Sequence, residues 1–282
     1  MKKLNLLLII LIINACAFCQ PKKQLDNLIL LDGSLYANVI DKSENLIHET
    51  YKRGSEITFS YKYTGRNGKQ QYFVINKGNF WDFTSASNTS DNVIRDFKLK
   101  VLHENMNFND PKFYQVAISY TLGKNKENSS TTGLIENEKN IWLHPPRDFL
   151  FEILELNPFP YIKYPFQIGH TWNWELEIGG QWGDKRWKEW SGNITNKYQY
   201  KITDKKTINT AIGLLECYII ESEAKSKLGT TKLISYFNEL FGFVKLDYTN
   251  IDNSTIEINI KGFKKEMINM LKTGLLPDAT RH

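Results

Sequence analysis

Apolar and polar residues alternate along much of the chain, which is the pattern of β-strands with one buried face. The first clear example is 57–63, where Ile57, Phe59, Tyr61 and Tyr63 stand at every second position. The same period returns at 97–101, 114–120, 172–178, 198–202, 244–248 and 256–260. Turn-forming clusters separate these segments, and strands joined by short turns pair antiparallel. The sequence therefore predicts an all-β, mainly antiparallel fold.

Residues 148–156 break this alternation and predict a short helix. They follow Pro145 and Pro146, and their apolar positions repeat at helical spacing. These positions are Phe149, Leu150, Ile153 and Leu156, with Phe151 and Leu154 apolar as well. A helix that is apolar nearly all round needs cover, and so does a sheet with one apolar face. We expect a curled sheet or half-barrel with this helix against its concave face; two stacked sheets are the alternative.

The proline-rich segment 157–161 cannot continue the helix, because proline disfavours helical backbone in the residue before it. It is predicted to divide an N-terminal β-half, residues 20–156, from a C-terminal β-half, residues 157–262. The second half either completes the same sheet or forms a second β-domain. Residues 263–282 are a tail, in which 264–271 form either a short C-terminal helix or a frayed end.

Residues 1–19 have the pattern of a secretory signal. Lys2 and Lys3 precede an apolar run from Leu6 to Ile13, which is too short to span a bilayer. Residues 13–16 resemble a bacterial lipobox with Cys16 as the lipidated residue, whereas 17–19 resemble an ordinary cleavage site before Gln20. The first alternative predicts an outer-membrane lipoprotein facing the periplasm, and the second a soluble periplasmic or secreted protein.

Charge and cysteine content narrow the classes of function. Without Lys2 and Lys3, the 36 basic residues fall to 34 against 31 acidic ones, too small an excess to predict a nucleic-acid partner.

Only Cys217 lies in the folded part, so no disulfide framework is available. Cys16 and Cys19 only loosely resemble a metal-binding pair, since one of them is expected to be lipidated or removed. The five histidines are scattered, and we see no catalytic motif. We therefore expect no cofactor, no metal and no catalytic residues.

Two groups of residues are candidates for ligand binding. Five of the seven tryptophans fall within 172–190, in a stretch expected to form a hairpin around Gly179 and Gly180. Such residues can stack on a sugar ring or an apolar ligand, or simply hold the hairpin together. His144 and Arg147, just ahead of the helix, could form a second site with Glu152 and Glu155. Alternatively, the two glutamates are only the hydrated side of an otherwise apolar helix. The candidates are Trp172, Trp174, Trp182, Trp187 and Trp190, with His144, Arg147 and Phe149.

Three motifs carry a resemblance to a known group of proteins. They are P-x-x-x-G-x-x-W at 165–172, G-x-x-E-C at 213–217, and Y-F followed by G-x-V-K at 236–245. Their order resembles a family of exported bacterial β-sheet proteins, whose half-barrels are similar to the LolA and LolB lipoprotein carriers. The resemblance covers residues 164–262. It implies a curved antiparallel sheet, and it carries over neither an activity nor any functional residue.

Three hypotheses of function follow. The first is a non-enzymatic module of the cell envelope that holds a lipid or other apolar or amphipathic ligand between sheet and helix. The second is an envelope scaffold that binds another protein through its sheet surface or edges. The third is a glycan-active enzyme. In the first two the chain meets the membrane only through a lipid anchor.

Overall fold

The computed structural model describes residues 50–78, 80–105, 115–125 and 127–264. The expected signal with Cys16 lies outside these residues. So does the helix expected over 264–271, apart from Lys264, which ends the last strand. No helix among the described residues has the length and apolar character needed to cross a membrane.

The described part of the chain forms one sheet of fifteen strands. Their bounds are β1 Glu56–Thr64, β2 Gln70–Ile75, β3 Trp81–Ser85, β4 Val93–Ile94, β5 Asp96–Asn105, β6 Val116–Leu122, β7 Ser129–Glu136, β8 Asn140–Leu143, β9 Tyr161–Lys163, β10 Thr171–Ile178, β11 Ile194–Thr210, β12 Gly213–Ser226, β13 Gly229–Asn238, β14 Gly242–Thr249 and β15 Thr255–Lys264. A 3₁₀ helix, here called the central helix, spans Phe149–Leu156, and a shorter one spans Gly180–Trp182.

The strands are antiparallel and follow the order β10-β11-β12-β13-β14-β15-β1-β5-β6-β7-β8-β9. β2 branches from β1 and carries β3 and β4. Because β1 bonds both β15 and β5, the strands of the two predicted halves belong to one sheet. The sheet is nearly closed, since the ring of Tyr161 on edge strand β9 lies 5.7 Å from that of Trp172 on edge strand β10.

The alternation in the sequence matches the burial of the strands. In β10, for example, Trp172, Trp174, Leu176 and Ile178 are buried, and the residues between them are exposed or half-buried. The buried sides meet on the concave face, where Phe151 of the central helix packs 5.2 Å from Tyr61 and 5.3 Å from Phe97 between ring centroids. The predicted fold class is confirmed: a mostly antiparallel, curled sheet with one short helix against its concave face.

The C-terminal end of the central helix is fixed by side chains of the sheet. The carbonyl of Leu156 accepts hydrogen bonds from Asn196 Nδ2 at 3.0 Å and from Thr231 Oγ1 at 2.8 Å. Asn157 Nδ2 donates to the carbonyl of Thr249 at 3.0 Å. These bonds satisfy polar groups at a buried helix end. The following residues, 158–160, are buried as well and lead into β9.

The sheet has two distinct ends. At one end, here called the rim, the β2–β3 hairpin meets the 179–193 connection, because Arg186 Nη1 donates to the carbonyl of Trp81 at 3.2 Å. At the other end, the base, the turns after β9, β11 and β13 lie together. Thr50, the first described residue, is also at the base, where its Oγ1 donates to the carbonyl of Glu239 at 2.9 Å.

Candidate functional site

Trp172 and Trp174 point into the core. Their exposed fractions are 6% and 1%, and their rings stack on Tyr200 at 5.3 Å and on Tyr198 at 4.4 Å. Trp174 Nε1 donates to the Tyr200 hydroxyl at 3.0 Å, and this hydroxyl donates to the carbonyl of Phe159 at 3.0 Å. The two tryptophans thus join β10 and β11 to the segment that follows the central helix.

The other three tryptophans lie in the 179–193 connection at the rim. Trp182 and Trp190 are half-buried, and Trp187 is 8% exposed. Trp187 Nε1 donates to the carbonyl of Trp182 at 3.4 Å. A methyl group added at Gly183 would lie 3.2 Å from the Trp190 ring, so the chain crosses this ring closely. The structure therefore separates the five tryptophans into a core pair and a rim group.

The β2–β3 hairpin contributes aromatic residues that the sequence did not single out. Trp81 stacks on Trp187 with 6.2 Å between ring centroids, and it meets Phe73 and Phe83 edge-on at 5.7 and 5.4 Å. Phe149, at the start of the central helix, lies 6.2 Å from Phe73. We call these residues the rim cluster: Phe73, Trp81, Phe83, Phe149, Trp182, Trp187 and Trp190.

Two arginines lie on the rings of the rim cluster. The guanidinium of Arg186 is 3.5 Å from the ring centroid of Trp81, and that of Arg147 is 4.4 Å from Trp182. Arg186 is held in place by a two-point ion pair with Asp184, whose Nε–Oδ1 and Nη2–Oδ2 distances are 2.9 and 2.5 Å. Hydrogen bonds from Arg186 hold the pKa of the Asp184 carboxyl below its usual value. Asp184 is therefore an ionised residue that orients Arg186.

Glu152 of the central helix lies within this charged group. Burial raises the pKa of its carboxyl above the ordinary value; the negative charge of Asp184 adds to the increase and Arg186 opposes it. The protonated form of such a carboxyl can donate as well as accept a hydrogen bond. Perturbed carboxyls in such settings are typical of binding and catalytic sites.

His144 and Glu155 are deeper than the rim cluster. His144 is fully buried, and its Nε2 lies 3.5 Å from Glu155 Oε1, to which Arg147 Nε is also at 3.5 Å. Burial, followed by the charge of Arg147, lowers the pKa of His144 to about 3, so the imidazole is neutral at physiological pH. The two carboxylates of the helix thus have different surroundings, with Glu155 in the core and Glu152 at the rim. Within the described residues, no group of three His, Cys, Asp or Glu could hold a metal ion.

A groove of about 750 Å³ lies on the outward face of β10 to β13. Its polar lining includes Asn173, Lys201, Glu221, Glu223 and Lys232. This groove could not be predicted from the sequence, because the pattern of a strand shows only that its outward positions are polar.

No model of a protein family matches the sequence, and no curated protein matches it either. Three solved structures have a similar chain trace. An inferred lipoprotein of Parabacteroides distasonis has 12% identity and a TM-score of 0.43, over 76% of this chain and 97% of its own. An inferred exported protein with YmcC-like fold from Bacteroides fragilis has 12% identity and a TM-score of 0.38, over 77% of this chain and 98% of its own. The hypothetical lipoprotein YmcC of Escherichia coli has 9% identity and a TM-score of 0.34, over 78% of this chain and 90% of its own. With identities and TM-scores this low, none of these similarities indicates a function for this chain.

Proposed function

We propose that the chain is a non-enzymatic binding module of the cell envelope that holds an amphipathic ligand at the rim cluster. The observation that carries this proposal is the group of partly exposed rings of the rim cluster beside the Arg186–Asp184 pair, whose charges act on the half-buried carboxyl of Glu152. These rings are Trp81, Phe83, Phe149, Trp182 and Trp190. Ligand sites combine apolar walls with a few convergent polar groups in this way. The apolar part of the ligand packs on the rings, and its polar group bonds to Glu152.

The surroundings of these rings support a preorganised site. Arg186 is fixed by Asp184 and lies on Trp81, while Arg147 lies on Trp182 and is 3.5 Å from the buried Glu155. Rings that are already held in place lose little side-chain entropy when a ligand binds. The ion pairs therefore favour binding without contacting the ligand themselves.

We propose this position, at the start of the central helix, in preference to one between the helix and the sheet. Leu150, Phe151 and Leu154 are fully buried there, and the ring of Phe151 contacts three rings of the sheet. The helix thus fills the space in which the sequence had suggested a ligand.

Placement in the envelope rests on the secretory pattern of residues 1–19. Lipidation of Cys16 would make the chain an outer-membrane lipoprotein.

Native mass spectrometry of the protein, extracted gently from its own membrane, tests the proposal. We expect a copurifying amphipathic molecule that is retained by the wild type and by Leu214→Ala, and lost from Trp182→Ala. A wild-type protein that is free of ligand, or a ligand that Trp182→Ala retains as well as Leu214→Ala does, would contradict the proposal.

The free edge of the sheet favours a second candidate, an accessory protein that binds a partner. β10 pairs only with β11 among the described strands, and the 750 Å³ groove lies on its outward face. Edge strands accept an extended segment of another protein. A photoreactive residue at Asn173 should then crosslink to an envelope protein in cells, and the same residue at Phe80 should not.

A further inference from the structure

The base of the sheet exposes large apolar side chains. Among the described residues, the exposed large hydrophobics are Tyr164 at 42%, Ile168 at 56%, Leu214 at 73%, Leu240 at 65% and Phe80 at 76%. The first four lie in turns or strand ends at the base, and only Phe80 belongs to the β2–β3 turn at the rim. An apolar surface gathered at one end of a molecule is typical of an interaction site.

Contacts link the segments that carry these side chains. Tyr164 stacks on Phe166 with 4.0 Å between ring centroids, and Phe166 lies 5.4 Å from Tyr218 and 5.2 Å from Phe237. The next residue, Asn238, accepts a hydrogen bond from the backbone N–H of Leu240 at 3.0 Å.

The Asn238 side chain links this surface to the strand that carries Leu214. Its Nδ2 donates to the carbonyl of Glu216 at 2.9 Å. We call the resulting surface the base patch: Tyr164, Phe166, Ile168, Leu214 and Leu240.

Leu214 projects on a two-stranded arm. β11 pairs with β10 only as far as Lys201, and β12 pairs with β13 only from Tyr218 onward. Between these limits, β11 and β12 pair with each other up to Thr210 opposite Gly213. The arm therefore extends past both neighbouring strands.

The tip of the arm has no charge. Residues 207–215 contain no Asp, Glu, Lys or Arg, and Ile208, Ile212 and Leu214 are among them. Charged side chains begin directly behind the tip, where Lys205 pairs with Glu216 at 2.8 Å and Lys206 with Asp204 at 4.0 Å. With a rise of about 3.3 Å per residue, the three steps from Thr207 to Thr210 span about 10 Å. This is roughly the depth at which interfacial segments bury their apolar side in a bilayer.

The N-terminal end of the described chain lies at the base patch. Thr50 hydrogen-bonds to Glu239, which precedes Leu240, and the backbone N–H groups of Thr50 and Tyr51 both donate to the Glu136 carboxylate at 2.9 Å. The first described residue, Thr50, therefore lies beside the base patch.

We propose that the base patch docks on the lipid bilayer, with the tip of the β11–β12 arm inserted among the headgroups. The chain would then contact the membrane directly, in addition to any lipid anchor. In this orientation the base patch faces the bilayer and the rim cluster is turned away from it.

Fluorophore quenching by lipids tests this docking. The full-length, lipidated protein with Cys19→Ser carries a single environment-sensitive label at Leu214→Cys, Leu240→Cys or, as control, Phe80→Cys. Cys217 does not compete for the label, because its side chain is fully buried. The protein is placed in vesicles of phosphatidylethanolamine and phosphatidylglycerol that contain nitroxide-labelled lipid.

We expect strong quenching at positions 214 and 240 and at least about fivefold less at position 80, which is equally apolar and exposed but lies at the rim. Circular dichroism confirms that each variant is folded. Equal quenching at the three positions, or no quenching at 214, would overturn the proposal, as would a label at 214 that is already shielded in the absence of vesicles. The last result would show that another part of the chain covers the base patch. None of these outcomes depends on ligand binding at the rim.

Discussion

At the scale of single residues, Glu152 distinguishes the rim cluster from ordinary core packing. Its neighbours include Asp148 and Asp184, whose charges add to the effect of burial in raising its pKa, and Arg186 offsets them only in part. Ionisation of a carboxyl in this setting lowers the stability of the folded state. Proteins commonly accept such costs where the residue has a function.

The substitution Glu152→Gln should therefore stabilise the protein near neutral pH. At about pH 3, well below the ordinary glutamate pKa of ~4.3, Glu152 is protonated in both the folded and the unfolded states, and the variant should unfold at the wild-type temperature. As the pH rises from the ordinary pKa to the raised pKa of the folded state, the wild type loses stability and the variant does not. Thermal unfolding at about pH 3 and at about pH 7 measures the difference. A variant that is less stable than the wild type at pH 7 would show that the carboxylate is a structural partner.

At the scale of elements, the central helix organises the interior. Its side chains fill the concave face, and the carbonyl at its end is bonded by Asn196 and Thr231 from two different strands. Removal of its main aromatic side chain would leave a cavity that the surrounding sheet cannot close.

We expect Phe151→Ala to cost about 3–5 kcal/mol of the free energy of unfolding, because Phe151 is fully buried against Tyr61, Phe73 and Phe97. Urea unfolding provides the measurement. The matched control is Phe80→Ala, which removes an exposed phenylalanine and should change stability by about 0.5 kcal/mol or less. A similar effect of both substitutions would mean that the helix is not part of the core.

The elements themselves were largely predictable from the sequence. Strands such as β1 and β10 follow the alternation of apolar residues, and the helix of 149–156 follows the prolines and the continuous apolar run. The rim cluster was only half predictable. Trp182, Trp187 and Trp190 were visible as a local concentration, but Trp81 and Phe83 reach them from a hairpin about a hundred residues away, and no local pattern shows such a meeting.

At the scale of the whole molecule, the two ends of the sheet differ in chemistry. The rim combines aromatic rings with ion pairs and a perturbed carboxyl. The base exposes an uncharged, apolar hairpin tip and also holds Thr50, the first described residue. Together the two proposals orient the molecule, with the base on the membrane and the ligand site facing away from it. The sequence pattern could not show this polarity, because it depends on which turns meet at each end of the sheet.

Calorimetric titration with dodecyl maltoside, kept below its micelle concentration, tests the central claim most directly. This probe joins an apolar chain, which can pack on the rings, to an uncharged polar head, which can hydrogen-bond to Glu152. We predict binding of one molecule that weakens at least about tenfold in Trp182→Ala and in Glu152→Gln and is unchanged in Leu214→Ala, the control at the base. An absence of binding, or binding that the rim substitutions leave unchanged, would contradict the assignment of a ligand site to the rim.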